Sequence, residues 1–182
     1  MSNFPARIPV APGLRDLGLF NWVFCKLTAR KQQVPQAHLF TTLGQHRRLM
    51  WAWLPFAGML LGAGKLPKTD TELVILRVGH LRHAEYELQH HRRIGRQRGL
   101  DEATQTAIFA GADADGLTER QRALVAGVDE LVGTRTLSDD AWKRLSAHLT
   151  RQQLIEFVTL AGQYDALAAT LSALRVPLDF DD

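Results

Sequence analysis

Glu87 and His91 stand four residues apart within HAEYELQHHRRIGRQRGL, residues 83–100. At that spacing two side chains share one face of a helix. A carboxylate beside an imidazole holds its tautomer, raises its pKa and makes it a usable acid–base group near neutral pH. Upstream, Glu72, Leu76, His80 and His83 fall on one face of a second helix, at i, i+4, i+8 and i+11. If the two helices pack side by side, Glu72 meets His91. Each residue also has a plainer reading. Glu–His pairs at this spacing are common on solvated faces. Glu72 is the N3 carboxylate of a capping box opened by Thr69. Of His80 and His83, one is expected to be partly buried and one exposed. Tyr86 and Tyr164 serve either as hydroxyl partners or as packing.

The elements that must position these residues read as helices throughout. Leu14, Leu17, Phe20 or Trp22, and Phe24 are near helical register. Pro35 suits the first turn of a second helix. A third helix covers residues 45–62 and is expected to break at or near Pro55. The Thr69 capping box opens the Glu72 helix, and a helix over about 84–98 ends at Gly99. The segment LDEATQTAIFAG closes on Gly111. Thr118-x-x-Gln121, Ser138 and Thr150-x-x-Gln153 open three more helices. No stretch alternates with period two. The spacing predicts an all-α protein of about eight helices. Small residues on the last helix, among them Ala161, Gly162, Ala168 and Ala169, predict that it is central or at a subunit interface.

The 182 residues fit one domain or a tight pair of subdomains, 46% hydrophobic and 23% charged. A net charge of +3 is too small to point to a polyanion partner. One cysteine, Cys25, excludes an internal disulfide and any CxxC chemistry. Residues 1–13 carry three prolines and are expected to form an extended arm without signal-peptide character. The apolar stretch at residues 49–64 is interrupted by Pro55 and short for a membrane span. The expectation is a soluble cytoplasmic protein that takes a small-molecule substrate and touches neither nucleic acid nor membrane.

The stretch TELVILRVGHLRHAEYELQHHRRIGRQRGLDEATQTAI resembles the carboxymuconolactone decarboxylase family, which includes the alkyl hydroperoxidase D-like proteins. The resemblance rests on a glutamate opening E-x-x-I-L-R-V, then A-E-Y-E-x-x-x-H, then R-x-G-L. It extends over roughly residues 35–178. It implies the alkyl hydroperoxidase D-like helical fold for 35–178, after an arm and first helix at 1–34 and before a tail at 179–182. It also implies a homo-oligomer: a dimer, trimer or hexamer. In the redox-active branch a glutamate, a CxxC pair and a histidine form the site. The glutamate matches Glu72 and the histidine His91, while the two cysteine positions fall on Ala84 and Glu87. Dithiol peroxide reduction needs thiols that this stretch lacks, and Cys25 reads as a buried structural cysteine.

Glu72, Glu87 and His91 then resemble the cofactor-free, non-thiol branch. The resemblance implies decarboxylation, or a related lyase or isomerase step, on a small carboxylated lactone or keto acid. His91 is the expected acid–base group, with Glu87 orienting it and Glu72 relaying protons. His83 and Tyr86 are weaker candidates for substrate contacts. Arg77 or Arg82 could meet an anionic substrate. Three alternatives remain open: an alkyl hydroperoxidase-type antioxidant by family membership, a non-catalytic ligand-binding relative, and a metal site built from His80, His83, His90, His91 and the two glutamates. The spacing matches no established metal motif, so no metal and no cofactor are expected. Arg92, Arg93, Arg96 and Arg98 follow no narrow stripe and are expected on the outer surface or at a subunit contact.

Overall fold

The computed structural model describes residues 5–9 and 13–180. These form nine α-helices, eight of them with more than six residues, plus one π-helical turn. The helices are α1 (Leu14–Gln32), α2 (His38–Leu43), α3 (Arg47–Gly58), α4 (Lys68–Leu81), α5 (Glu85–Gln97), α6 (Glu102–Ala110), α7 (Glu119–Thr134), α8 (Asp139–Ser146) and α9 (Arg151–Leu174). No strand occurs among the described residues, and none of their helices is long and apolar enough to cross a membrane. The proline-rich arm lies partly outside the described residues. Its described part is tied down, with Arg7 N–H donating to the Leu174 carbonyl at 3.1 Å and Gln45 donating to the Pro9 carbonyl at 2.7 Å.

The chain divides into two compact units, 1–59 with 170–182, and 60–169. In the first, Leu17, Cys25 and Met50 form an apolar cluster packed by Phe24, Phe40, Leu43 and Leu54. Burial pushes the Cys25 thiol up to about 11, so at neutral pH it is a small apolar side chain and not a thiolate. The α-helix expected to break at or near Pro55 runs through the proline itself and ends at Gly58, three residues beyond it. The irregularity appears just downstream, as the π-helical turn Met59–Ala63. A proline removes one backbone donor, and a helix can absorb that locally without ending.

The second unit is built around α4, which packs against α5, α6 and α7. Every residue from Asp70 to Gly79 is buried. A helix buried all round has to satisfy its polar groups internally. Arg77 does so with a two-pronged pair to Asp129, at 2.5 and 2.9 Å, and with the carbonyls of Ile108 and Phe109. Asp70 pairs with Arg120. Helix α5 lies close against α4. A Cβ at Gly79 would stand 3.2 Å from Leu88, and one at Gly95 3.3 Å from Leu76.

The Thr118 capping box forms as read, Ser138 caps α8, and Thr150 and Gln153 exchange hydrogen bonds at the start of α9. The Thr69 box does not form. Helix α4 already begins at Lys68, behind Pro67, so Thr69 lies inside the first turn and its hydroxyl donates to the Arg98 carbonyl at 2.9 Å. Helix α9 buries Phe157, Leu160, Ala161, Tyr164, Leu167, Ala168 and Leu171, a stripe of i, i+3, i+4 spacing that puts one face in the core.

Candidate acid–base site

Helices α4, α5 and α9 bring four side chains together in the second unit. Glu72, on the first turns of α4, is fully buried. Its Oε2 lies 2.7 Å from His91 Nδ1, on α5. Its Oε1 accepts a hydrogen bond from Arg98 Nη1, also at 2.7 Å. The other imidazole nitrogen, His91 Nε2, lies 3.2 Å from the Tyr164 hydroxyl on α9. The rings of His91 and Tyr164 meet edge to face, with centroids 5.3 Å apart.

The proton positions follow from this network. Glu72, already engaged by a guanidinium, accepts the Nδ1 proton. His91 Nε2 is then the acceptor for the Tyr164 O–H. The result is a continuous chain from Arg98 through Glu72 and His91 to Tyr164. Burial pushes the Tyr164 phenol well above its usual value, and the nearby carboxyls of Glu87 and Glu72 add to the effect.

Glu87 differs from Glu72. It is buried, and neither carboxyl oxygen has a hydrogen-bond partner. Burial, reinforced by the negative charge of Asp165, pushes its pKa up to about 8. Asp165 is itself held between Arg82 and Arg135. Glu87 therefore keeps its proton at neutral pH. It does not orient His91, as the four-residue spacing had suggested. Glu72 and Tyr164, from two other helices, occupy both imidazole nitrogens.

His83 is exposed in the turn between α4 and α5, with φ +51°. Tyr86 is buried, and its ring lies 5.0 Å from that of His90. His80 is half-buried and stacks on Phe109 at 5.0 Å. Neither Arg77 nor Arg82 is uncommitted, since they pair with Asp129 and Asp165. Among the arginines expected outside, Arg92 lies over the Phe109 ring. Arg98 departs from the expectation by reaching back to Glu72. The sequence carried no signal for this, because Arg98 is the C-cap of α5, one residue beyond its last helical position.

Comparison with known proteins adds the context. Over residues 47–130 the chain matches the carboxymuconolactone decarboxylase family. That segment contains Glu72, Glu87, His91 and Arg98, while Tyr164 lies beyond it. No curated protein matches the sequence. Solved structures share the alkyl hydroperoxidase D-like fold. An uncharacterised peroxidase-related protein from Silicibacter sp. TM1040 superposes with a TM-score of 0.81 at 15% identity, over 95% of this chain and 91% of its own. A second, described as an alkylhydroperoxidase AhpD core from Ralstonia eutropha JMP134, gives 0.80 at 16% identity, over 95% and 92%. A cysteine-to-alanine variant of the debrominase Bmp8, in complex with 2,3,4-tribromopyrrole, gives 0.77 at 14% identity, over 96% and 94%. At these identities the likeness is one of fold, and the fold alone does not assign the reaction.

Proposed function

We propose that the protein is a cofactor-free acid–base enzyme acting on a small carboxylated lactone or keto acid, by decarboxylation or a closely related proton transfer. The observation that carries this reading is the buried chain Glu72–His91–Tyr164. Loss of CO2 from such a substrate breaks a C–C bond and leaves its electron pair in an enolate, which must then be protonated. A histidine between a carboxylate and a phenol can pass a proton along the chain without a metal or redox group. Arg98 anchors the far end, so that Glu72 stays an acceptor.

Thiol chemistry is the alternative suggested by the fold's relatives, and this chain's residues speak against it. Ala84 and Glu87 occupy the positions of the cysteine pair. Cys25, the one thiol, is buried in an apolar cluster and holds its proton. A homo-oligomer suits the apolar side chains that α1 leaves exposed, among them Leu19, Phe20 and Leu27.

The test is a screen of carboxylated lactones and keto acids for CO2 release, followed by the Tyr164→Phe variant on any substrate found. Removing the hydroxyl cuts the chain at its Tyr164 end but keeps the ring packing. The expected outcome is a drop of about ten- to a hundred-fold in kcat with an unchanged melting temperature. Unchanged kcat would remove Tyr164 from the pathway. A screen without turnover in wild-type protein would contradict the enzymatic reading.

A further inference from the structure

Glu87 is the one member of the cluster whose polar atoms are uncommitted. His91 has both nitrogens engaged, Glu72 both oxygens, and the Tyr164 hydroxyl is bonded to His91. Glu87 is buried in the same cluster, one turn before His91 on α5, and neither oxygen has a partner. Groups buried in this way are rare in folded proteins, because an unsatisfied carboxyl loses its hydration and gains nothing in return. A bound ligand that offers an acceptor would supply the missing partner.

We propose that Glu87 is the group that receives the substrate: its carboxyl donates an O–H to the carboxylate of a small monoanionic acid. The inference rests on the acid–base reading of the site and names what that site binds.

The surrounding charges favour this role over the usual arginine clamp. From α9, Asp165 and Tyr164 face Glu87, and the first is negative. Arg82, which follows α4, and Arg135, which follows α7, are both spent on Asp165. Arg98 is spent on Glu72 and Arg77 on Asp129. Glu72 and His91 are bonded to each other. None of these cations is free to meet an incoming carboxylate, but a neutral carboxyl can. Two carboxyl groups that share one proton carry a single negative charge and one strong hydrogen bond. If Glu87 ionises, the same two groups repel. The value of about 8 for Glu87 keeps it in the donating form at neutral pH. The expected ligand is therefore a monoanion whose carboxylate docks on Glu87 while its reacting carbon faces the His91–Tyr164 end.

The experiment is calorimetric titration of the full-length protein from about pH 6 to about pH 10. The probes are γ-butyrolactone bearing a carboxylate on its γ-carbon, and unsubstituted γ-butyrolactone. For the carboxylated probe, wild-type affinity should fall about ten-fold per pH unit above about pH 8. Glu87→Gln keeps an N–H donor and cannot ionise, so its affinity should stay flat over the same range, and a thermal melt confirms its fold. The neutral probe should bind less tightly than the acid to the wild-type protein below that range. No wild-type binding of the carboxylated probe, a flat wild-type profile, or the same fall in Glu87→Gln each overturns the proposal. Its failure is distinguishable from failure of the acid–base reading. Turnover that depends on His91 alongside a flat binding profile would leave that reading intact and remove Glu87 from substrate recognition.

Discussion

Glu72→Ala should lower the unfolding free energy by roughly 2–4 kcal/mol, the cost of leaving the buried His91 donor without an acceptor plus a smaller loss at the partly exposed Arg98. Glu72 is fully buried and ties three elements together. It belongs to α4, it meets His91 on α5, and it anchors Arg98 at the end of that helix. Alanine removes the acceptor and leaves both donors facing a small void. The guanidinium is partly exposed and can turn toward water, so its share of the loss is the smaller one. The imidazole cannot escape in the same way, because it is buried and its Nδ1 proton has no other acceptor. Glu72→Gln keeps the volume and one carbonyl acceptor, so it should lose less. Urea unfolding of the three proteins at one pH measures this. A loss below about 1 kcal/mol for the alanine variant would show that the pair is not formed as described.

Glu87→Gln should act in the opposite direction, and only over part of the pH range. The folded protein holds the Glu87 proton up to about pH 8, whereas an ordinary glutamate releases it near 4.5. Between those values the folded state binds more protons than the unfolded state, so stability falls as pH rises. Below the lower value both states are protonated and Glu87 contributes no pH dependence. Above the upper value the full penalty is present, on the order of 5 kcal/mol. Glutamine cannot ionise and escapes that penalty. Near pH 4 the two proteins should have similar stability, and the variant should be the more stable by on the order of 3 kcal/mol near pH 7. Parallel pH–stability curves for the two proteins would contradict the raised value. A residue that reduces stability at neutral pH and still occupies the cluster fits a functional role better than a structural one.

The two glutamates thus occupy opposite environments around the same histidine. One accepts from a cation and an imidazole, and the other is buried without a partner. Divergence of this kind is how a single site holds both an acceptor and a proton donor at one pH.

The sequence revealed part of this arrangement. The meeting of Glu72 with His91 follows from helical register, because each lies on a face that the apolar pattern turns inward. The caps at Thr118, Ser138 and Thr150 were legible because each is a local signal between neighbouring residues. Thr69 was misread, since Pro67 starts α4 two residues earlier than the capping pattern implied. The break expected at or near Pro55 falls three residues beyond it, where α3 gives way to a π-helical turn. Glu87 was assigned to His91 by spacing alone, and spacing says which groups can meet but not which better partner arrives from another helix. Tyr164 and Arg98 are such partners. They lie 73 and seven residues from His91 in the chain, and only packing brings their polar atoms to the site.

In the proposed reaction His91 is the group that moves the proton. The direct test compares wild-type protein and His91→Ala on the most active acid from the lactone and keto acid screen, with circular dichroism and a thermal melt as checks on the fold. In the variant kcat should fall about a hundred- to ten-thousand-fold while the helical spectrum is retained. Full activity in a folded His91→Ala protein would contradict it and would leave the Glu72–His91–Tyr164 chain as a packing device.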